Sequence, residues 1–491
     1  MMRKRLLFAF VAALMVCIVL GTELTRAQMQ DNRWRLPQLI STPGVEQTGE
    51  AVLVPDQYGF VHMFWQEMGP DDERESIMYT RYDGRTWADP IDIRVAPPGL
   101  TIGTISPTID SEGLLHLIWN EGNSGPVYYM SAPAYDALSV QHWSTPQYID
   151  LPAYLPQLRI DDAGVFHIVY SNFYGQEPGI YYTRSFDRGI TWSNPVWLDP
   201  DIATNQAPQL MHFELDAEGG LHVLWLYIGL DTGAALGQWI RYAHSLDGGD
   251  TWSRPFTIDE ADDTPDELRV SHPGFAVVGN TVHAIWAGNT DVEREHRYSL
   301  DRGVTWTETE HLFGHLQGMA LGDALTGDEN GRLHLLAQIR WPQGIYYTTW
   351  DAESGWKPIT MIYLIAANGL EERDGRYHAH SLRSTIRGGN ELVAAFTNEA
   401  FGPMYVTSRI LDDLDPITPL PFPSPTPQPT PRTTVTPVEM TPTPRPFQPG
   451  TSGSTDVPNL GSSIWEGALP AVLFVFGAVI FWIVKNRQRF L

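Results

Sequence analysis

The 491-residue chain is nearly devoid of cysteine and of lysine. Its single cysteine, Cys17, lies inside an apolar N-terminal run. Once that run is removed no thiol is left. Disulfides are then excluded as a source of stability, and a folded region of this size has core enough to do without them. The lysines are Lys4, Lys357 and Lys485, and only Lys357 lies away from the ends. Positive charge is scarce altogether: 32 Lys and Arg stand against 58 Asp and Glu, a formal net charge of −26. A nucleic-acid partner is thereby excluded, because phosphate contacts need a basic footprint. Anionic lipid headgroups repel such a surface as well.

What the chain has in quantity is repetition. One eight-residue phrase occurs three times, as Ser185-Phe-Asp187-Arg-Gly189-Ile-Thr191-Trp192, Ser245-Leu-Asp247-Gly-Gly249-Asp-Thr251-Trp252 and Ser299-Leu-Asp301-Arg-Gly303-Val-Thr305-Trp306. A spacing of roughly 55 residues marks a repeat architecture. The aspartate accepts hydrogen bonds from the backbone ahead of it and closes a turn. The glycine takes the positive φ that the turn needs, and the tryptophan buries a large ring. These residues read as structural staples between strands.

A second phrase runs in step with the first. Asp56…Gly59…His62…Trp65 recurs as Asp110…Gly113…His116…Trp119, Asp161…Gly164…His167…Tyr170 and Asp216…Gly219…His222…Trp225. Weaker copies lie at Asn280…His283…Trp286 and Asp328…Gly331…His334, and a seventh, from Gly388 to Phe396, has lost its histidine. Each predicts a turn followed by a β-strand. An opening strand with an early proline precedes the turn (Pro107, Pro156, Pro208, Pro273). A Tyr-Tyr strand follows it (Tyr128-Tyr129, Tyr181-Tyr182, Tyr346-Tyr347), and then an outer Trp-x-x-Pro strand at Trp87, Trp192 and Trp252. Four antiparallel strands per repeat, stacked radially, predict an all-β propeller. The seventh unit has no outer strand of its own, whereas Trp34-Arg-Leu-Pro37 at the other end fits one. The expectation is seven blades over residues 31–411 closed by an N-terminal strand, with six or eight left open as counts.

The staple resembles the Asp-box, or BNR repeat, of the sialidase superfamily, and the likeness runs through the whole repeat region. The resemblance implies a propeller and raises an exo-glycosidase activity, in which an arginine triad holds the substrate carboxylate, a Tyr–Glu pair supplies the nucleophile and an Asp is the acid/base. Arg35-Leu36-Pro37 is similar to the Arg-Ile-Pro of the first triad arginine. As part of an outer strand, however, Arg35 shares its position with Ala88, Ser193 and Ser253, on the rim. Weak catalytic candidates are Arg159, Arg269, Arg340 and Arg383, with Tyr377 beside Glu371. Family sialidases have six blades, and the count here is seven.

A four-stranded meander puts the Asp-x-x-Gly turns and the staples on one face, and the longer variable loops on the other. Function concentrates on loops carried by a rigid scaffold. Candidate ligand contacts on the loop face are Glu67, Glu121, Tyr174, Trp239, Trp341 and Phe401. No cofactor is expected. Acidic loop clusters such as Asp71-Asp72-Glu73 are of the kind that hold Ca²⁺, but no Ca²⁺-loop signature accompanies them. The six repeated histidines repeat because the fold does, so each is expected to be a packed, hydrogen-bonded side chain and no metal site is expected.

The ends predict an address. Residues 1–27 read as a secretory signal. Residues 412–466 form a Pro/Thr-rich stalk that cannot bury a core. Residues 467–484 are apolar and near the length of a spanning helix, and 485–491 are a basic cytoplasmic tail. The reading is a single-pass type I cell-membrane protein with an extracellular propeller that binds a glycan or a surface protein. The alternatives are a sialidase-type exo-acting glycoside hydrolase and a cell-envelope scaffold. Nothing in the sequence specifies an oligomeric state.

Overall fold

The computed structural model describes residues 33–422, except 46, 69–73, 123–124, 173–177, 201–205, 230–235, 262–269, 289–293, 317–321, 341–342, 364–379 and 398–401. It contains seven antiparallel sheets. Blade I has Val52–Pro55, Val61–Met68, Glu75–Tyr82 and Ile91–Val95, with Gln47–Thr48 also paired to its second strand. Blade II has Ile102–Ile109, Leu114–Glu121, Pro126–Pro133 and Gln147–Pro152. Blade III has Tyr154–Ile160, Phe166–Asn172, Gly179–Ser185 and Val196–Trp197. Blade IV has Gln206–Leu215, Leu221–Gly229, Leu236–Ser245 and Phe256–Glu260. Blade V has Ser271–Val278, Thr281–Ala287, Arg294–Ser299 and Glu310–Leu312. Blade VI has Ala324–Gly327, Leu333–Arg340, Gln343–Asp351, Gly355–Trp356 and Thr360–Tyr363.

Blade VII closes the ring. Its strands His380–Arg387, Glu391–Thr397 and Met404–Ile410 are completed by the N-terminal Gln38–Leu39. The first strand of each blade touches the first strand of the next, and that of blade VII touches that of blade I. Seven blades closed by an N-terminal strand are therefore present, as the repeat count predicts. Closure removes the bare edge that Met404–Ile410 would otherwise present.

The core sits at the seams between blades. One hydrophobic cluster joins blades I and II through Phe64, Tyr79, Leu117 and Trp143. Corresponding clusters lie at each later seam, ending with Met63, Trp65, Ala395 and Val406 between blades VII and I. The second strands face a seam on both sides. That is why they read as near-continuous apolar runs and why Trp65, Trp119, Trp225 and Trp286 are fully buried. Each such ring contributes roughly 1.5–3 kcal/mol of burial.

The staples are built as their composition requires. In blade III, Asp187 Oδ1 accepts from Thr191 N at 2.8 Å and Oδ2 from Thr191 Oγ1 at 2.6 Å, while Gly189 N donates to Ser185 Oγ at 2.8 Å. Blades IV and V repeat these bonds at Asp247 and Asp301. The Thr191 hydroxyl and amide lower the Asp187 carboxyl to about 2. The tryptophans are half-buried and pack across the seam: Trp252 lies 4.9 Å from Tyr182 of the preceding blade, and Trp306 4.9 Å from Tyr242.

Residues 412–420, placed by the sequence in the stalk, stay with the propeller. Leu414 packs against blades VI and VII, Ile417 N donates to Gly388 O, and Leu420 N donates to Gln57 O. Residues 417–420 thus lie against the turns of blades VII and I. The leader (1–27), the stalk from residue 423 and the expected span at 467–484 lie outside the described residues. Among the described residues no helix is long and apolar enough to cross a membrane.

Candidate functional site

In five blades the repeated histidine is clamped at both ring nitrogens. His62 Nδ1 lies 2.7 Å from Tyr79 Oη, and Nε2 lies 3.0 Å from Asp56 Oδ2. The same bonds tie His116 to Tyr129 and Asp110, His167 to Tyr182 and Asp161, His222 to Tyr242 and Asp216, and His334 to Tyr347 and Asp328. The aspartate is the turn residue, and its other oxygen accepts backbone N–H groups, as Asp56 Oδ1 does from Phe60 N at 2.7 Å. Turn, second strand and third strand are locked by one side-chain chain, and no nitrogen is left for a metal. Among the described residues no group of three or more potential ligands could hold a metal ion.

Blade V departs from the pattern. Asn280 replaces the turn aspartate and His296 takes the tyrosine's place, so His283 Nδ1 meets His296 Nε2 at 3.1 Å. Burial, and then its neighbour His296, push His283 well below its ordinary value.

Two of the four arginines that sequence reasoning singled out, Arg159 and Arg383, have described side-chain partners. Arg159 lies near the turn-side end of its first strand and donates to Glu214 of blade IV at 2.7 and 3.2 Å. Arg383 lies toward the loop side of blade VII and pairs with Glu50 ahead of blade I. Arg340 ends the second strand of blade VI. Arg269, Tyr377, Glu371, Tyr174, Trp341 and Phe401 lie outside the described residues. On the first strand of blade IV, His212 Nε2 is 2.8 Å from Pro273 O. Burial, then the Arg383 charge, lower it to about 4, against the opposing influence of Glu214 and Glu50.

On the loop face, Glu67 and Glu121 occupy equivalent places at the ends of second strands, and both are buried. Glu67 accepts from Trp65 Nε1 at 2.8 Å. Glu121 accepts from Arg94 at 2.5 and 3.1 Å, joining blades I and II. Trp239 is half-buried on the third strand of blade IV. The Arg241 guanidinium lies 4.8 Å over its ring and 6.0 Å from Tyr227, and Nη1 bonds both Asp199 oxygens at 3.1 and 3.2 Å. Burial and then Asp199 raise the Tyr227 hydroxyl. A buried and a half-buried aromatic ring, Tyr227 and Trp239, thus flank a carboxylate-anchored arginine toward the loop-side end of blade IV.

Sequence reasoning named Trp239 but missed Arg241, Asp199, Arg94 and His212. The alternation of the third strand carried a signal for Arg241, two residues from Trp239 and hence on the same side of the sheet. Asp199 lies in another blade and gave none.

The sequence matches no protein-family model, and no curated protein matches it. Solved structures do resemble it. A protein of unknown function from Dyadobacter fermentans DSM 18053 is 12% identical, with a TM-score of 0.46 over 77% of this chain and 100% of its own. The polysaccharide lyase Uly1 is 14% identical, with a TM-score of 0.49 over 78% of this chain and 93% of its own. The NanB sialidase of Streptococcus pneumoniae is 13% identical, with a TM-score of 0.42 over 78% and 71%.

Proposed function

We propose that this chain is a membrane-tethered extracellular propeller that binds a glycan or a surface protein on its loop face. The observation that carries the reading is the Trp239–Arg241–Asp199 platform: a half-buried aromatic ring stacked on an arginine that a carboxylate holds in place. The half-exposed part of Trp239 offers an aromatic edge, and the arginine held beside it a donor, for a sugar or a protein side chain. Of the catalytic candidates, Arg159 and Arg383 each pair with a carboxylate of a neighbouring blade, which offsets the charge a substrate carboxylate would meet.

The test is a glycan and surface-protein array probed with residues 28–420 and with Trp239→Ala. Saturable binding that falls about tenfold or more in the variant supports the reading. Binding that is unchanged in Trp239→Ala removes the platform from it.

A further inference from the structure

The seam between blades VII and I differs from the others in a way the backbone register makes explicit. In each of blades I, III and VI a threonine hydroxyl donates to the outer-strand carbonyl at Ala88, Ser193 and Lys357. Thr407 makes this bond to Arg35 O in blade VII. The residue before that threonine is Tyr79, Tyr182 or Tyr347 in those blades, and in blade VII it is Val406. The strand partner of Arg81 and Arg184 is the clamped histidine, and the partner of the equivalent Ser408 is Val393. The His–Tyr pair of blades I, II, III, IV and VI is thus a Val–Val pair here.

Two large rings have been replaced by two small side chains, and Tyr82 of blade I, which reaches across the seam to Glu391 and packs on Val393, fills the space only in part. A cavity of about 110 Å³ lies there, lined by Val393, Val406, Tyr82, Trp87, Arg35 and Arg85, with Gln38 and Ser408 at its margin. The Arg35 side chain is 49% exposed at its mouth, and Arg85 is exposed. Beneath them Glu391 is buried and saturated: it accepts from Tyr82 Oη at 2.9 Å, Ser408 Oγ at 2.9 Å and Arg387 Nη1 at 3.0 Å. Arg35 and Arg387 flank the Glu391 carboxylate at 3.5 and 3.0 Å, Arg35 also donates to Tyr82 Oη, and Arg85 lines the cavity as a third arginine. Among the described residues Arg85 makes no ion pair.

We propose that this closure-seam cavity is a binding site for a sugar that carries a carboxylate or sulfate group. The anion meets the Arg35 and Arg85 guanidinium groups, which suit such oxygens in fork geometry. The ring lies along the side of Trp87 that Tyr82 does not cover, with Gln38 also in the lining. The site is on the turn side of the rim, apart from the loop-face platform, so the two stand or fall separately.

The test is titration calorimetry on the full chain in detergent micelles, with D-glucuronate, glucose 6-sulfate, glucose and inorganic sulfate as probes. Two variants accompany it: Arg85→Ala, an exposed residue, and Val406→Tyr, which restores the side chain of the other blades. Circular dichroism and melting confirm that each is folded. The expected result is binding of both charged sugars, none of glucose, a loss of about tenfold or more in Arg85→Ala, and abolition in Val406→Tyr. If Val406→Tyr does not fold, Arg85→Ala decides alone. Absence of binding by folded wild-type chain, or equal binding by Arg85→Ala, overturns the proposal. Inorganic sulfate binding as tightly as glucose 6-sulfate overturns the sugar assignment. Loop-face binding on the array is expected to be unchanged in both variants.

Discussion

The Tyr182 hydroxyl of blade III fills the space that a Cβ on Gly249 of blade IV would occupy, 2.0 Å from its ideal position. Gly303 stands in the same relation to Tyr242, at 1.8 Å. The staple glycine therefore serves two ends: a φ of +90° at Gly249, and close passage of the preceding blade's tyrosine. Gly249→Ala is expected to destabilise the propeller by about 2–4 kcal/mol, from left-handed strain and overpacking together. Gly164→Ala, at φ +77° with open space around it, keeps only the strain, about 1 kcal/mol. Denaturant melts of the two variants check the difference, and equal losses would contradict the account of the seam.

Acid should weaken the fold through His212. Its folded pKa is about 4, below the value of about 6.5 in the unfolded chain. Above pH 6.5 neither state is protonated and no penalty exists. As pH falls from 6.5 toward 4 the unfolded chain takes up the proton first, and stability is lost. The loss at pH 5 is about 2 kcal/mol. His212→Gln keeps a donor for Pro273 O but does not titrate. Its melting temperature should fall less than that of the wild type between pH 7 and pH 5, and parallel falls would rule the group out.

The closing strand is expected to be indispensable. Ile40 N donates to Met404 O at 2.9 Å, and Thr407 Oγ1 to Arg35 O at 2.6 Å. A chain starting after residue 41 loses both and bares the edge of Met404–Ile410. It should aggregate or melt at markedly lower temperature. A melting curve superimposable on that of the longer chain would refute closure.

Arg159→Ala is expected to act on stability and not on any turnover. It strands Glu214 at a half-exposed position, a cost of about 1 kcal/mol after solvent screening. Arg159→Ala and the double change Arg159→Ala/Glu214→Gln, measured by thermal melting, check this. The second change should restore part of the loss.

Much of the fold was legible because each blade restates its own turn chemistry. Asp56, Asp110, Asp161, Asp216 and Asp328 each mark a turn by fixed spacing to a glycine and a histidine, and the missing outer strand of blade VII was visible as Trp34-Arg-Leu-Pro37. The site was not legible in the same way, because its contacts cross seams. Arg159 finds Glu214 at a separation of 55 residues, and Arg383 finds Glu50 at 333. No local pattern links such pairs. The cavity beside Val406 was hidden for a related reason. A valine in a strand is unremarkable until the register shows that it stands where other blades carry tyrosine. The lost histidine of the seventh repeat was the one visible trace of it.

The most direct test of the central claim, that the propeller binds and does not hydrolyse, is a rate measurement on residues 28–420 with a fluorogenic sialoside and a panel of related glycosides. The account predicts no turnover on any of them by protein whose circular dichroism shows it folded. Turnover that disappears when Arg383 or Arg340 is changed to alanine, with folding intact, would contradict it and make the chain an exo-acting hydrolase.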